Sequence, residues 1–512
     1  MTDSTINDNI GQLGGGIYSL QNETTVSNTT FQGNASDYGA GGAIYASGGE
    51  VVLSQLTVTG NDADTGGGLK LISGAATITG STISGNTSSL DNPDYASYSQ
   101  GGGLYLQDMT ATLNGNSIND NTAYQGAGIA ILGGQVTIDG GEVRDNTAEG
   151  PGGGVQIAGG AHSLTGTVID GNKAGTNGGG ALQSDGEATL SRVTISGNSA
   201  ANGGGLFAEG GTVSLVDSQV SGSQAGKGGG VSVAGGAVTV DGGALDGNVV
   251  TGSGGGAYAA GGTLTIQEAT LAGNRATGGG GVFAFGGQVN INRSTLRGNE
   301  AGDGGGARTG INGAIAIVNS TLSGNEAAVS GGGVFNAGTM SLVNSTLTGN
   351  TAGVSGGGAE VYAGTLTVER SILSGNAAPN GREARRVGGA ATVNSRNLFG
   401  FGGNAGLSGI APGATDIVAT KPLSGILGTL AANGGPTQTH ALVKDSPAID
   451  AAPSAACEAA PVGGLDQRGL ARNANGDGLA SANECDIGAF EAPGAGDPPP
   501  MPFKISVPVI LR

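Results

Sequence analysis

The chain has 512 residues, 109 of them glycine against only 15 proline, and no Gly-X-Y period, so it is not collagen-like. Twenty Lys and Arg face 39 Asp and Glu, and the resulting formal charge of −19 argues against nucleic acid or an acidic membrane as partner. No apolar run of the length that spans a bilayer is present, and the opening Met1-Thr-Asp-Ser-Thr-Ile-Asn lacks the basic and apolar regions of a signal peptide.

From the N-terminus onward the sequence repeats itself. Asparagines 9, 34, 61, 86, 121, 146, 172, 198, 248, 274, 299, 325, 350 and 376 each close an aliphatic-x-Gly/Asp-Asn pattern, with Ser223 standing in once. The spacing is 25–27 residues everywhere except between Asn86 and Asn121, where the insertion 88–100 falls. A fixed period of this length means stacked supersecondary units. Within each period three short runs alternate with period two and are punctuated by glycines, as in residues 254–274. The expected fold is therefore all-β: a right-handed parallel β-helix of about 15 coils, three strands per coil, over residues 1–398. The apolar residue three places before each asparagine (Phe31, Val58, Ile83, Ile118, Val143) is expected to point into the core, with its neighbours pointing out. The asparagines themselves suit a stacked hydrogen-bonding ladder rather than a ligand site. Residues 4–9 already read as the last strand of a coil, so a natural chain that starts earlier, with a signal peptide and a cap over the open end, is expected.

One outward column carries an excess of aromatic residues. It follows the aliphatic residue after each Gly-Gly-Gly and contains Tyr18, Tyr45, Tyr105, Phe207, Tyr258, Phe283 and Phe335. These are the expected binding residues, a rigid stripe of rings for a polysaccharide or a cell-surface partner. The best acidic cluster is Asp120 with Asp145, on equivalent turns of successive coils and flanked by Arg144 and Asp170. A pair about 5 Å apart would suit a retaining glycosidase or a Ca²⁺ site. With no His or Lys nearby, and Asp favoured in turns anyway, the protein is read as a non-catalytic one with no catalytic residues. His162 is expected to face outward.

The C-terminal part changes character. Residues 399–492 are expected to form a small capping or anchor-type domain, and 493–512 a Pro-rich linker with an apolar tail. Cys457 and Cys485 are the only cysteines; they suit a disulfide of an oxidising compartment, with two buried free thiols as the other reading. Asn473, Asn475, Asp477 and Glu484 fall at loop positions 1, 3, 5 and 12 of a calcium loop, so Ca²⁺ is a possible ligand, although nothing in the reading requires a cofactor.

Two resemblances add to this reading. Gly41-Gly-Ala-Ile-Tyr and Phe31-Gln-Gly-Asn34 resemble the tetrapeptides of polymorphic outer membrane protein repeats, found in surface-exposed bacterial adhesins that commonly end in a β-barrel. The C-terminal 135 or so residues lack the alternating ten-residue strands of such a barrel. Asn433-Gly-Gly-Pro-Thr-Gln-Thr-His-Ala-Leu, Ser446-Pro-Ala-Ile-Asp, Asp466-Gln-Arg-Gly and Cys485-Asp-Ile-Gly-Ala-Phe-Glu491 resemble the choice-of-anchor Q domain of secreted bacterial β-helix proteins, a resemblance that also covers His440. Together they imply an extracellular or outer-membrane-associated adhesion or glycan-recognition protein. A polysaccharide lyase or hydrolase centred on Asp120 and Asp145, and a purely structural spacer stalk, are the alternatives.

Overall fold

The computed structural model describes residues 1–37, 39–89, 98–472 and 484–493, and the chain divides into two compact units, Met1–Leu264 and Thr265–Arg512. Both are right-handed parallel β-solenoids.

In the first unit each coil has three faces. The coil around Asn146 shows them: a long face with Ile129–Leu132 and Gln135–Asp139, a second with Glu142–Arg144, and a third with Thr147–Ala148. On the second face successive coils pair in parallel and without slip, so Ile83, Ile118, Val143, Ile169, Ile195, Val220 and Leu245 form one stacked row. All seven are buried, and each contributes roughly 25 cal/mol per Å² of apolar surface removed from water. The triple glycine that opens each long face has a separate cause at every position. Gly152 turns the chain at φ +74°, while a side chain on Gly153 or Gly154 would lie 2.5 Å from a carbonyl of the next coil.

From Asn9 to Asn198 the asparagine column is a continuous hydrogen-bond ladder. Asn146 Oδ1 accepts from the backbone N–H of Asn121 (3.0 Å) and from its Nδ2 (2.9 Å). In turn, Asn146 Nδ2 donates to Ile118 O (3.0 Å) and Asn172 Oδ1 (2.9 Å). Ser223 keeps only the backbone link, its N–H donating to Asn248 Oδ1. His162, expected outside, is buried in the inward row between Val136 and Ala188. Its Nδ1 accepts from Val136 N–H (3.1 Å) and its Nε2 meets Gly159 O (2.7 Å). Burial holds this imidazole below its usual pKa, which suits a neutral ring satisfied at both nitrogens.

In the second unit the same ladder runs through Asn299, Asn325 and Asn350 to Asn376, and there a carboxylate replaces the next amide. Glu383, fully buried, accepts from Asn376 Nδ2 (2.7 Å), Asn376 N–H (3.1 Å) and Gly375 N–H (3.0 Å). Parallel pairing carries on past residue 398 to Ile417–Val418, stacked on Leu398–Phe399. The chain then returns along the outside of the second face. There Leu427–Ala431 pairs antiparallel with Thr439–Leu442, and Ala452–Pro453 with Glu484–Cys485. Cys457 and Cys485 are joined in a disulfide.

This returning segment docks on the threonines of three successive coils. Gln467 Nε2 donates to Thr295 Oγ1 (2.9 Å), Thr321 Oγ1 donates to Gln467 Oε1, and Ala489 N–H donates to Thr346 Oγ1 (3.0 Å). Arg472, completely buried, bridges Asn319 Oδ1 and Gly488 O. Among the described residues no helix is long and apolar enough to cross a membrane.

Candidate recognition cleft on the long face

Stacking in register fixes which outward side chains meet. In the second unit Phe283, Arg308, Phe335, Glu360 and Arg385 follow one another across adjacent strands of the long face. The Arg308 guanidinium lies between two rings, 5.2 Å from the centre of Phe283 and 5.1 Å from that of Phe335. Its Nη1 is 3.6 Å from Asp303, and its buried Nε finds no acceptor among the described residues. Glu360 is buried beside Arg385 (3.8 Å). Burial pushes its carboxyl above the usual range, opposed by a Ser355 hydrogen bond and the Arg385 charge.

The rims of this row are apolar and exposed. Phe285 (56% exposed) stands edge-on to Phe283, and Tyr362 (58%) stacks on Phe335 at 5.7 Å. Ile311 (80%) and Val329 (47%) complete a cleft of about 650 Å³. Phe285 and Tyr362 are three coils apart, about 14 Å at ~4.8 Å per strand.

The expected stripe of exposed rings is corrected by this geometry. Tyr105, Phe207, Tyr258, Phe283 and Phe335 do lie on the outer side of the solenoid, but all five are buried. The positive-φ glycine four residues earlier folds the preceding turn against each of them. At Gly279 (φ +65°) a side chain would lie 2.7 Å from the Cβ of Phe283, and Gly203 and Gly254 stand in the same relation to Phe207 and Tyr258. Cations cover part of the remainder: Lys70 lies over Tyr105 and Lys227 over Tyr258. Only Tyr18, exposed, and Tyr45, half-exposed, present ring surface; they stack at 5.4 Å in the first unit. The exposed rings of the second unit, Phe285 and Tyr362, sit two residues further along, where the turn length varies and no periodic signal marks them.

The other sequence-selected residues fall in different units: Asp120 and Asp145 are neighbours on successive coils of the first, and the calcium-loop residues belong to the second. Asp120 (φ +55°) and Asp145 (φ +52°) are exposed left-handed turn residues where other coils use glycine. Arg144 beside them is engaged by Glu142 (2.8 Å) and Asp170 (3.6 Å). Of the calcium-loop residues, Asn473, Asn475 and Asp477 lie outside the described residues, while Glu484 is exposed at the start of its short strand. Residues 90–97 of the insertion also lie outside them.

The fold and its stacked polar ladder define a right-handed parallel β-helix protein with a lateral cleft. In agreement, a family model described as right handed beta helix region matches residues 1–173. No curated protein matches the chain.

Proposed function

We propose that this is a surface-recognition protein that binds glycan chains, without acting on them, in the cleft of its second unit. The carrying observation is the Arg308 guanidinium held between Phe283 and Phe335 beneath the exposed rims Phe285, Ile311 and Tyr362. Sugar rings offer C–H faces to aromatic side chains and hydroxyls to Arg308, Asp303 and Glu360. Because the strands hold every group in place, binding orders little. Export to the cell surface is part of the same reading. It is supported by the Cys457–Cys485 disulfide and by the resemblance to polymorphic outer membrane protein repeats and choice-of-anchor domains. The test is a Phe285→Ala, Tyr362→Ala double variant with unchanged melting. It should lose at least tenfold in glycan-array and cell-adhesion binding, about 1.4 kcal/mol. Binding equal to wild type in both assays would remove the cleft from the function.

A further inference from the structure

A second cleft of about 500 Å³ lies in the second unit where the returning segment covers the outer face of the solenoid. It is lined by Ser323, Thr348, Leu423, Leu427, Thr429 and His440, among others. Ser323 ends the strand Thr321–Ser323, while His440 belongs to the antiparallel pair Leu427–Ala431 and Thr439–Leu442. Docking of the returning segment therefore brings together two residues 117 positions apart.

Their geometry fixes a direction for the proton. His440 Nδ1 is 2.8 Å from Gly428 O, and a carbonyl oxygen can only accept, so Nδ1 carries the hydrogen. In the neutral ring Nε2 is then the acceptor, and Ser323 Oγ, 2.9 Å away, donates to it. Burial keeps the imidazole below its ordinary pKa, so the unprotonated form prevails at neutral pH. A hydroxyl, a base within hydrogen-bond reach, and a third group that orients the base are the parts of an activated serine nucleophile. Both residues are about 9% exposed, and both line the cleft.

From this arrangement we infer that Ser323 and His440 form an acyl-transfer site for small carboxylic esters, independent of the recognition cleft. Leu423 and Leu427 offer an apolar wall to the acyl group, and the hydroxyls of Thr348, Ser424 and Thr429 line the same space. Ser323 Oγ bonds to the ester carbonyl carbon while its proton passes to His440 Nε2. The ester C–O bond breaks, and Nε2 returns that proton to the departing alkoxide, which leaves as an alcohol. Water then gives a proton to Nε2 and its oxygen to the acyl carbon; the carboxylic acid is released and Ser323 regains its hydrogen.

The test uses the full chain with a fluorophosphonate probe and p-nitrophenyl butyrate. The probe should form an adduct on the peptide that contains Ser323, located by mass spectrometry. Ser323→Ala should abolish the adduct, and His440→Gln should slow both labelling and ester hydrolysis about 100-fold. Absence of an adduct on Ser323 in the wild-type chain overturns the inference, and this holds even if either variant fails to fold. Labelling in a folded His440→Gln chain at the wild-type rate overturns it as well, since the pair would then be only a docking contact.

Discussion

Replacing Glu383 by glutamine separates the charge of the ladder cap from its shape. The carboxyl is fully buried and accepts three hydrogen bonds, yet burial dominates and pushes its pKa up to about 7 from an ordinary 4.5. Below pH 4.5 the group is protonated in both folded and unfolded chains, and its full contribution to stability is present. As pH rises from 4.5 to 7 the folded chain binds more protons than the unfolded one, so stability falls by up to 1.36 kcal/mol per unit. The total loss is about 3 kcal/mol, complete above pH 7. Glutamine does not titrate, but it turns its NH₂ group toward one of the three donors and forfeits that bond, about 1 kcal/mol. The variant should be the less stable protein at pH 4 and the more stable one at pH 8, with curves that cross. Calorimetric unfolding of both full-length chains from pH 4 to 8 measures this. Asp486 and Glu491 of the same unit are also raised, to about 7 and about 8, so the difference between the two chains is the quantity to follow. Parallel curves across that window would refute the reasoning.

Asn146→Ala strands donors and acceptors on three neighbouring residues and should cost about 3–5 kcal/mol, with hydrogen-exchange protection lost at residues 118–172. Asn146→Ser, which mimics Ser223, should cost about half as much; a change under about 0.5 kcal/mol in either variant would show that the ladder adds nothing. A Cys457→Ser, Cys485→Ser double variant opens a 28-residue loop and should lose about 3–4 kcal/mol. That loss should appear as exchange confined to residues 423–472, while the strands Thr295–Arg297 and Thr321–Ser323 stay protected.

The solenoid was legible because its signals repeat: a triple glycine whose neighbours leave no room for a side chain, an inward aliphatic, and an asparagine that bonds to its counterpart in the next coil. The phase failed at His162, where the strand Val155–Thr165 passes through Gly159 and Gly160, both at positive φ, and pairing with the next coil shifts register. Strict alternation cannot be carried across such a step. The aromatic column was placed on the correct side of the wall, but its burial depends on how far each glycine turn folds over it, which residue type does not encode. The cleft rims Phe285, Ile311 and Tyr362 occupy turns of unequal length, so no column exposes them in the sequence. The pairing of Ser323 with His440, like that of Thr295 and Thr321 with Gln467, joins distant segments and leaves no local trace.

The threonine docking row has a consequence for how such a chain changes length. The returning segment reads one hydroxyl per coil, at Thr295, Thr321 and Thr346, and the equivalent positions Thr57 and Thr82 of the first unit are also threonine, there exposed. A terminal clasp that grips a repeated feature is indifferent to how many copies precede it. Whole coils gained or lost ahead of Thr295 in the second unit would leave each of these grips unchanged, whereas a gain or loss of a few residues would put the hydroxyls out of phase. Length in this architecture is therefore free to vary in steps of one coil, under a single fixed ending.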